Sequence, residues 1–424
     1  MSYKEDLNII RDLAAEVAEL SNLPRYEQAR HKWIEHNDLQ GGTEPLIWVC
    51  PDDDGGWLEL VPFSSLKSED MDLRVLEHRL RKLIYQHTHF DDDYVQEPVL
   101  RFDMPGEYTG YTYADASQKS AWGIPIHAKG ISSGAYHLDN YLDKEENVEK
   151  LLHHEVDFIP DDAEYRRRLY TKYSEAVDGL IEIQFIIPYV TLVQSLLIEL
   201  VHLRGLAELM MDLYDNPEWL HKILDHMSAS KARLLERLEQ KNMLYDNRSN
   251  LYTGSGGLGY TSHQKGNHHK GGGSAKLSDM WGFADAQEFS DVSPAMFSEF
   301  AIAYQKRGLN KFGLISYGCC ESLNNKFDMI FSSLPNIRRL SVSPWSDVNI
   351  AAENIKNKAI FSWKPNPSLI CCGIDEQTVS KMLAETANAT KNCVTEIILK
   401  DIRTCTGTPE YMQRFIEMSR NAFK

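Results

Sequence analysis

The sequence predicts an α/β protein, a (β/α)8 TIM-like barrel with an N-terminal helical extension. Three observations predict it. From about residue 178 onward, short apolar runs alternate with helix-length amphipathic segments, the pattern of a parallel sheet with helices outside it. Helix starts in that region are marked by Asn216-Pro217, Ser293-Pro294 and Thr408-Pro409, each a capping residue before Pro at the first helical position. No glycine-rich nucleotide fingerprint follows a strand candidate, which counts against an open doubly wound sheet.

The elements follow in order. Residues 1–44 form the helical extension, and residues 45–424 the barrel. In the opening helix Leu7, Ile10, Leu13, Val17 and Leu20 share one face. Pro45–Val49 is the first strand candidate, followed by the acidic turn PDDDGGW, and Met71–His87 is a helix. The Gly-, Tyr- and His-rich stretch 96–138 lacks helical periodicity and is read as irregular strands and loops at the barrel mouth. Further strand candidates are Leu180–Phe185, Asn250–Thr253, Leu314–Tyr317, Arg339–Ser343, Ala359–Trp363 and Glu396–Leu399. Asp375 caps the helix through Met382, and Gly313 suits a position just past a helix end. The segment His263–Lys276, with three histidines among glycines, reads as a flexible lid in preference to a metal site.

Composition narrows the function classes. Hydrophobic residues make up 42% and charged residues 25% of 424, enough apolar material for a large core. The net charge of −17 repels phosphate backbones and anionic lipid, so neither nucleic acid nor a membrane surface is the expected partner. The longest apolar stretch, Gly179–Val201, is interrupted by Glu182, Gln184, Pro188, Gln194 and Glu199 and is not a membrane span. No secretory signal is visible. Seven cysteines, four of them in the adjacent pairs Cys319–Cys320 and Cys371–Cys372, do not form a secreted disulfide pattern, so a reducing, cytoplasmic setting is expected.

Ser316–Ile370, with Tyr317–Cys320, Ser343-Pro344-Trp345 and Lys364-Pro365-Asn366-Pro367 at successive strand ends, resembles the second half of the uroporphyrinogen decarboxylase barrel. The run EIILKDIRTCTGTPEYMQRFIEM resembles that superfamily's last strand, loop and helix, and WGFADAQEFSDVSPAMFSEFAIAYQ resembles its segment from an Asp into a Ser-Pro-capped helix. PLIWV is similar to its first strand. The superfamily also contains zinc-dependent, cobamide-linked methyltransferases. Its decarboxylases hold tetrapyrrole carboxylates with arginines after the first strand, where this chain has PDDDGGW, so a porphyrinogen is not the expected substrate.

The methyltransferase branch implies a zinc site from a His-x-Cys motif and a Cys near the last strand. This chain has Cys319 and Cys405 there, Tyr317 in place of the His, and Glu321 or Cys320 as a third ligand. Zinc would lower the pKa of a bound thiol and activate it for methyl transfer. The plainer alternative is that these cysteines are small buried residues. Asp401 and Tyr317 are candidates for proton work, and Lys364 for binding a substrate carboxylate. His127, His137 and Trp345 are candidates for lining the cleft, although packing accounts equally well for Trp345, Trp281 and Trp363. The leading expectation is zinc-dependent methyl transfer between a small molecule and a corrinoid protein or thiol. A metal-free decarboxylase or lyase on a small acid comes second, and a non-catalytic corrinoid-binding barrel third. The resemblance also implies a homodimer.

Overall fold

The computed structural model describes residues 3–42, 44–112, 117–127, 139–263 and 275–424. Its frame is a curled sheet of six parallel strands, half of a barrel, wrapped by helices. Numbering the parallel strands along the chain gives β1 (Leu46–Pro51), β2 (Val99–Asp103), β3 (Glu182–Ile186), β4 (Trp281–Ala284), β5 (Leu314–Tyr317), β6 (Ile337–Val342), β7 (Ile360–Trp363) and β8 (Val394–Ile402). The six-stranded sheet has the order β1-β8-β7-β6-β5-β4, and β2 pairs with β3 in a separate parallel ladder. The near-continuous apolar character of β5, β7 and β8 is that of strands covered on both faces.

Polar side chains take the place of a next strand at both sheet edges. On β1, the amides of Ile47 and Val49 donate to Asp93 Oδ2 (2.8 Å) and Asp92 Oδ2 (3.0 Å). On β4, the Asn247 side chain accepts from Trp281 N and donates to Trp281 O, both at 2.9 Å. Backbone groups that a neighbouring strand would satisfy are thereby paired, and the ladder stops there.

The helices named here are α1 (Tyr3–Ser21), α2 (Pro24–Asn37), α3 (Gly56–Leu60), α4 (Met71–His89) and α5 (Ala163–Val177). Ile10, Ala14 and Val17 of α1 pack on Leu73, Leu76 and Leu80 of α4, on Tyr173 of α5 and on β2 and β3, forming a core of their own. From α2, the Trp33 indole donates to Asp93 O (2.7 Å) and His36 reaches Glu396 on β8 (3.0 Å). The expected caps are present at Ser293 and Asp375, whose side chains accept from Met296 N and from Gln377 N and Thr378 N.

One local expectation is corrected and two strands are added. Asn250–Thr253 is not a strand; it contributes a single bridge, Tyr252 to Leu258. Strands form instead at Val99–Asp103, inside the stretch read as irregular strands and loops, and at Trp281–Ala284. The cause of the first lies in Gly254, Gly256, Gly257 and Gly259, which carry the chain back across the concave face of the sheet. A Cβ at Gly254 would sit 1.9 Å from Ser316 Oγ of β5, and one at Gly257 would sit 2.7 Å from the Arg339 guanidinium of β6. Both have positive φ, a backbone state that side chains disfavour. At these four glycines the chain packs as bare main chain.

Beneath this segment lies a buried ionic network. Arg339 and Glu396 are fully buried, with Arg339 Nε 2.9 Å from Glu396 Oε1 but its N–H not aimed at that oxygen. The guanidinium donates to Thr253 Oγ1 (2.6 Å), Asn37 Oδ1 (2.7 Å) and Leu258 O (3.2 Å). Ser362 donates to the same Glu396 oxygen. Among the described residues, no helix is long and apolar enough to cross a membrane.

Candidate functional site at the strand C-termini

Active sites of barrel enzymes sit where the strands end, and the charged groups of this chain converge at the ends of β1, β5 and β8. Asp401 has φ +58, a left-handed residue that turns the end of β8. Lys400 precedes it, with its side chain only 12% exposed. Its ammonium lies 3.2 Å from Asp401 Oδ1, 3.4 Å from Ser255 Oγ and 3.8 Å from Cys319 Sγ. Burial works against this charge, but Tyr252, Cys319, Asp401 and Cys320 outweigh it and hold the ammonium above its ordinary pKa. Lys400 is therefore a fixed cation at neutral pH.

Lys400 and Asp401 form one wall of a cavity of about 500 Å³ that opens between the end of β1, helix α4 and β2. Asp52, Asp53 and Cys50 line the β1 side, Arg79 and Lys82 the α4 side, and Trp48, Trp57, Tyr94 and Tyr252 give it aromatic walls. Lys82 pairs with Asp53 and lies 5.1 Å from the centre of the Trp57 ring. Burial lowers the Lys82 pKa against the pull of Asp53. At Asp52, burial and the neighbouring Asp401 raise the pKa, opposed by Arg403 at 3.1 Å. Burial, with Asp53, pushes the Cys50 thiol up to about 12. The cavity thus presents cations on two sides and a carboxyl group, Asp52, whose pKa burial and Asp401 raise.

Around Cys319, backbone and acid groups are tied together. Its amide donates to Glu321 Oε2 (2.8 Å), and its carbonyl accepts from Ser341 Oγ (2.8 Å). The other Glu321 oxygen accepts from Ala286 N at 2.9 Å, so this buried carboxylate staples the ends of β4 and β5. Asp285, the first residue after β4, is buried and held well above the carboxylate range by burial, with Cys319, Glu321 and Glu288 adding to it. Sequence reasoning missed Asp285; its signal was a carboxylate directly after an apolar run that proved to be a strand.

The remaining sequence candidates do not line the cavity. Cys405 is buried, its thiol donating to Glu59 Oε2 of α3 (3.1 Å), and burial with that bond pushes it up to about 11. Tyr317 is fully buried, donating to Gln305 Oε1 (2.8 Å) with its ring edge-on to Phe297. Lys364 is buried and donates to Ser362 O (3.0 Å) and Ser362 Oγ (2.6 Å); burial lowers it to about 7, with Glu396 opposing. It thereby joins the Glu396 network. Trp345 is 72% exposed, and His127 is exposed with its amide donating to the Tyr141 hydroxyl (3.0 Å). His137 and residues 264–274 of the histidine-containing loop lie outside the described residues. Among the described residues, no group of three or more His, Cys, Asp or Glu side chains is arranged to hold a metal ion. No protein-family model and no curated protein matches this chain.

Proposed function

We propose that the chain is a metal-independent lyase or decarboxylase acting on a small carboxylic acid, built on a closed (β/α)8 barrel related to the uroporphyrinogen decarboxylase superfamily. The strand order supports the barrel: β1-β8-β7-β6-β5-β4 plus the β2–β3 pair is barrel order with two unladdered joints. The observation that carries the function is Lys400, a partly buried ammonium held above its ordinary pKa on the wall of the cavity beside Asp52 and Asp401. A substrate carboxylate enters against Arg79 and Lys82. When the C–C bond to the departing carboxylate breaks, its electron pair stays on the substrate carbon. Lys400 stabilises that developing negative charge in a site of low dielectric. Asp52 then delivers a proton to the carbon, a role for which a raised carboxyl pKa is suited.

A zinc route does not fit the residues as folded. A catalytic zinc needs three protein ligands converging on one point. Both Glu321 oxygens accept backbone N–H groups, the Cys405 thiol is bonded to Glu59, and the Lys400 ammonium stands beside Cys319. A cation at that thiol competes with a metal for it, so no step is drawn through zinc or a methyl-corrinoid partner.

The test is a panel of small 2-oxo, 3-oxo and dicarboxylic acids, assayed for binding by calorimetry and for carbon dioxide release. At least one acid is expected to bind and turn over after chelator treatment. Lys400→Met should lower its turnover tenfold or more, about 1.4 kcal/mol. Activity that requires added zinc, or unchanged turnover by Lys400→Met, would overturn the reading.

A further inference from the structure

The pair Cys319–Cys320 lies at the end of β5, outside the lining of the cavity, and the proposed reaction does not use it. Its two sulfur atoms are 3.6 Å apart. Cys320 is exposed, Cys319 is partly buried, and all seven cysteines of the chain are free thiols. The two residues are held differently. Cys319 is fixed on both sides of its peptide unit, by Glu321 at its amide and by Ser341 at its carbonyl, each at 2.8 Å. It follows Gly318, whose φ of +88 turns the chain out of the strand. The pair therefore consists of a thiol that meets solvent and a fixed thiol within contact distance of it, the arrangement in which an oxidised cysteine is captured by a resolving one.

We propose that Cys319 and Cys320 form a peroxide-reactive vicinal dithiol that closes reversibly to a disulfide between adjacent residues. The Cys320 sulfur, as thiolate, attacks one oxygen of a hydroperoxide. The O–O bond breaks, the other oxygen leaves as hydroxide or alkoxide and takes up a proton, and Cys320 becomes a sulfenic acid. The Cys319 sulfur then attacks the Cys320 sulfur. The S–S bond forms, the S–O bond breaks, and the hydroxyl leaves as water with the Cys319 proton. For hydrogen peroxide the sum is two thiols plus one peroxide giving one disulfide and two waters. Adjacent Cα atoms are about 3.8 Å apart, below the roughly 4.4 Å at which ordinary disulfides begin. The product is strained, and strained disulfides are the readily reduced ones, so a cellular thiol reverses the step. The Lys400 ammonium, 3.8 Å from Cys319 Sγ, faces the same pair, so closure changes what borders that cation.

Trypsin reports on this site directly, because Lys311 and Lys326 bracket the peptide Phe312–Lys326, whose only cysteines are Cys319 and Cys320. The full-length protein is exposed to one equivalent of hydrogen peroxide under native conditions, alkylated, digested and analysed by mass spectrometry. The expected product is this peptide short of two hydrogens and without alkyl groups, returning to two alkyl groups after dithiothreitol. In Cys319→Ser, Cys320 should give a sulfenic acid trapped by a 1,3-diketone probe. In Cys320→Ser, Cys319 should remain alkylatable at the same dose. Circular dichroism matching the parent chain confirms that both variants are folded. A peptide still carrying two alkyl groups while Cys372, the other exposed cysteine, is oxidised would overturn the proposal. So would disulfides from Cys320 to any cysteine other than Cys319.

Discussion

Replacing Glu396 by Gln removes one charge from the buried network and almost no volume, so the response isolates electrostatics from packing. Glu396 has no exposed surface and faces Arg339 at 2.9 Å and His36 at 3.0 Å. Burial alone would raise its pKa; Arg339, His36 and Lys364 outweigh burial and hold it at about 2, against an ordinary 4.5. At about 1.36 kcal/mol per pH unit, that difference corresponds to roughly 3 kcal/mol in favour of the folded, ionised form. Glu396→Gln also leaves the Arg339 guanidinium buried without its counter-charge, and breaking such a pair costs about 3–5 kcal/mol. Urea unfolding at pH 7, followed by tryptophan fluorescence, should show a loss of that size through the midpoint at unchanged slope. Because the folded pKa lies below the unfolded one, the stabilisation is complete above about 4.5 and is lost as pH falls toward about 2. The gap between parent and variant should therefore narrow as pH falls below about 4.5. The double variant Arg339→Met, Glu396→Met should lose less than the single one, since it leaves no buried charge unpaired in the pair itself. A single variant within about 1 kcal/mol of the parent at pH 7, or a gap that does not change with pH, would refute the reasoning.

Two further outcomes test other parts of the fold. Gly254→Ala places a methyl group 1.9 Å from Ser316 Oγ at positive φ, whereas Gly407→Ala meets no atom within 4 Å at a similar φ. The first should cost more than about 2 kcal/mol by thermal unfolding, and the second about 1 kcal/mol, the backbone effect alone; equal losses would show that the segment yields. Asp70 accepts from Asp72 N and Leu73 N at the start of α4 and pairs with Lys172 of α5 at 2.6 Å. Asp70→Ala should cost about 1–2 kcal/mol, and hydrogen exchange should rise in the first turn of α4 while the β-sheet amides stay protected.

The strands from β5 onward were legible because each is a short apolar run between capped helices, as at Leu314–Tyr317 and Ala359–Trp363. Elements that depend on distant partners were not. Val99–Asp103 carries Arg101 in its middle, and its pattern makes sense only once that guanidinium meets Glu97, Gln184 and Asn250. Trp281–Ala284 has four residues and a glycine, too little for a periodic signal, and is held at its edge by an amide side chain 34 positions earlier. Conversely, Asn250–Thr253 has strand-forming residues, but the glycines after it decide its course. The site was legible in part. Lys400 and Asp401 were visible as charges ending the last strand, and Cys319 by its place after β5. Arg79 and Lys82 looked like an ordinary solvated helix face, and their role depends on where α4 lies against β1. The Arg339–Glu396 pair had a signal that went unused: a charge inside an apolar parallel strand needs a partner, and β6 and β8 each carried one.

The glycine segment on the concave face has a consequence for how this chain can vary. Where its glycines lie, the main chain is a cast of the surface beneath it. Gly254 sets the room for Ser316, Gly256 for Ile398, and Gly257 for Arg339 and Glu396. None of these strand residues can grow, and none of the glycines can acquire a side chain, unless the facing position shrinks in the same step. The interior is thus constrained as matched pairs of positions far apart along the chain. The freedom to accommodate new ligands is left to the cavity side, where side chains of β1 and α4 form the wall.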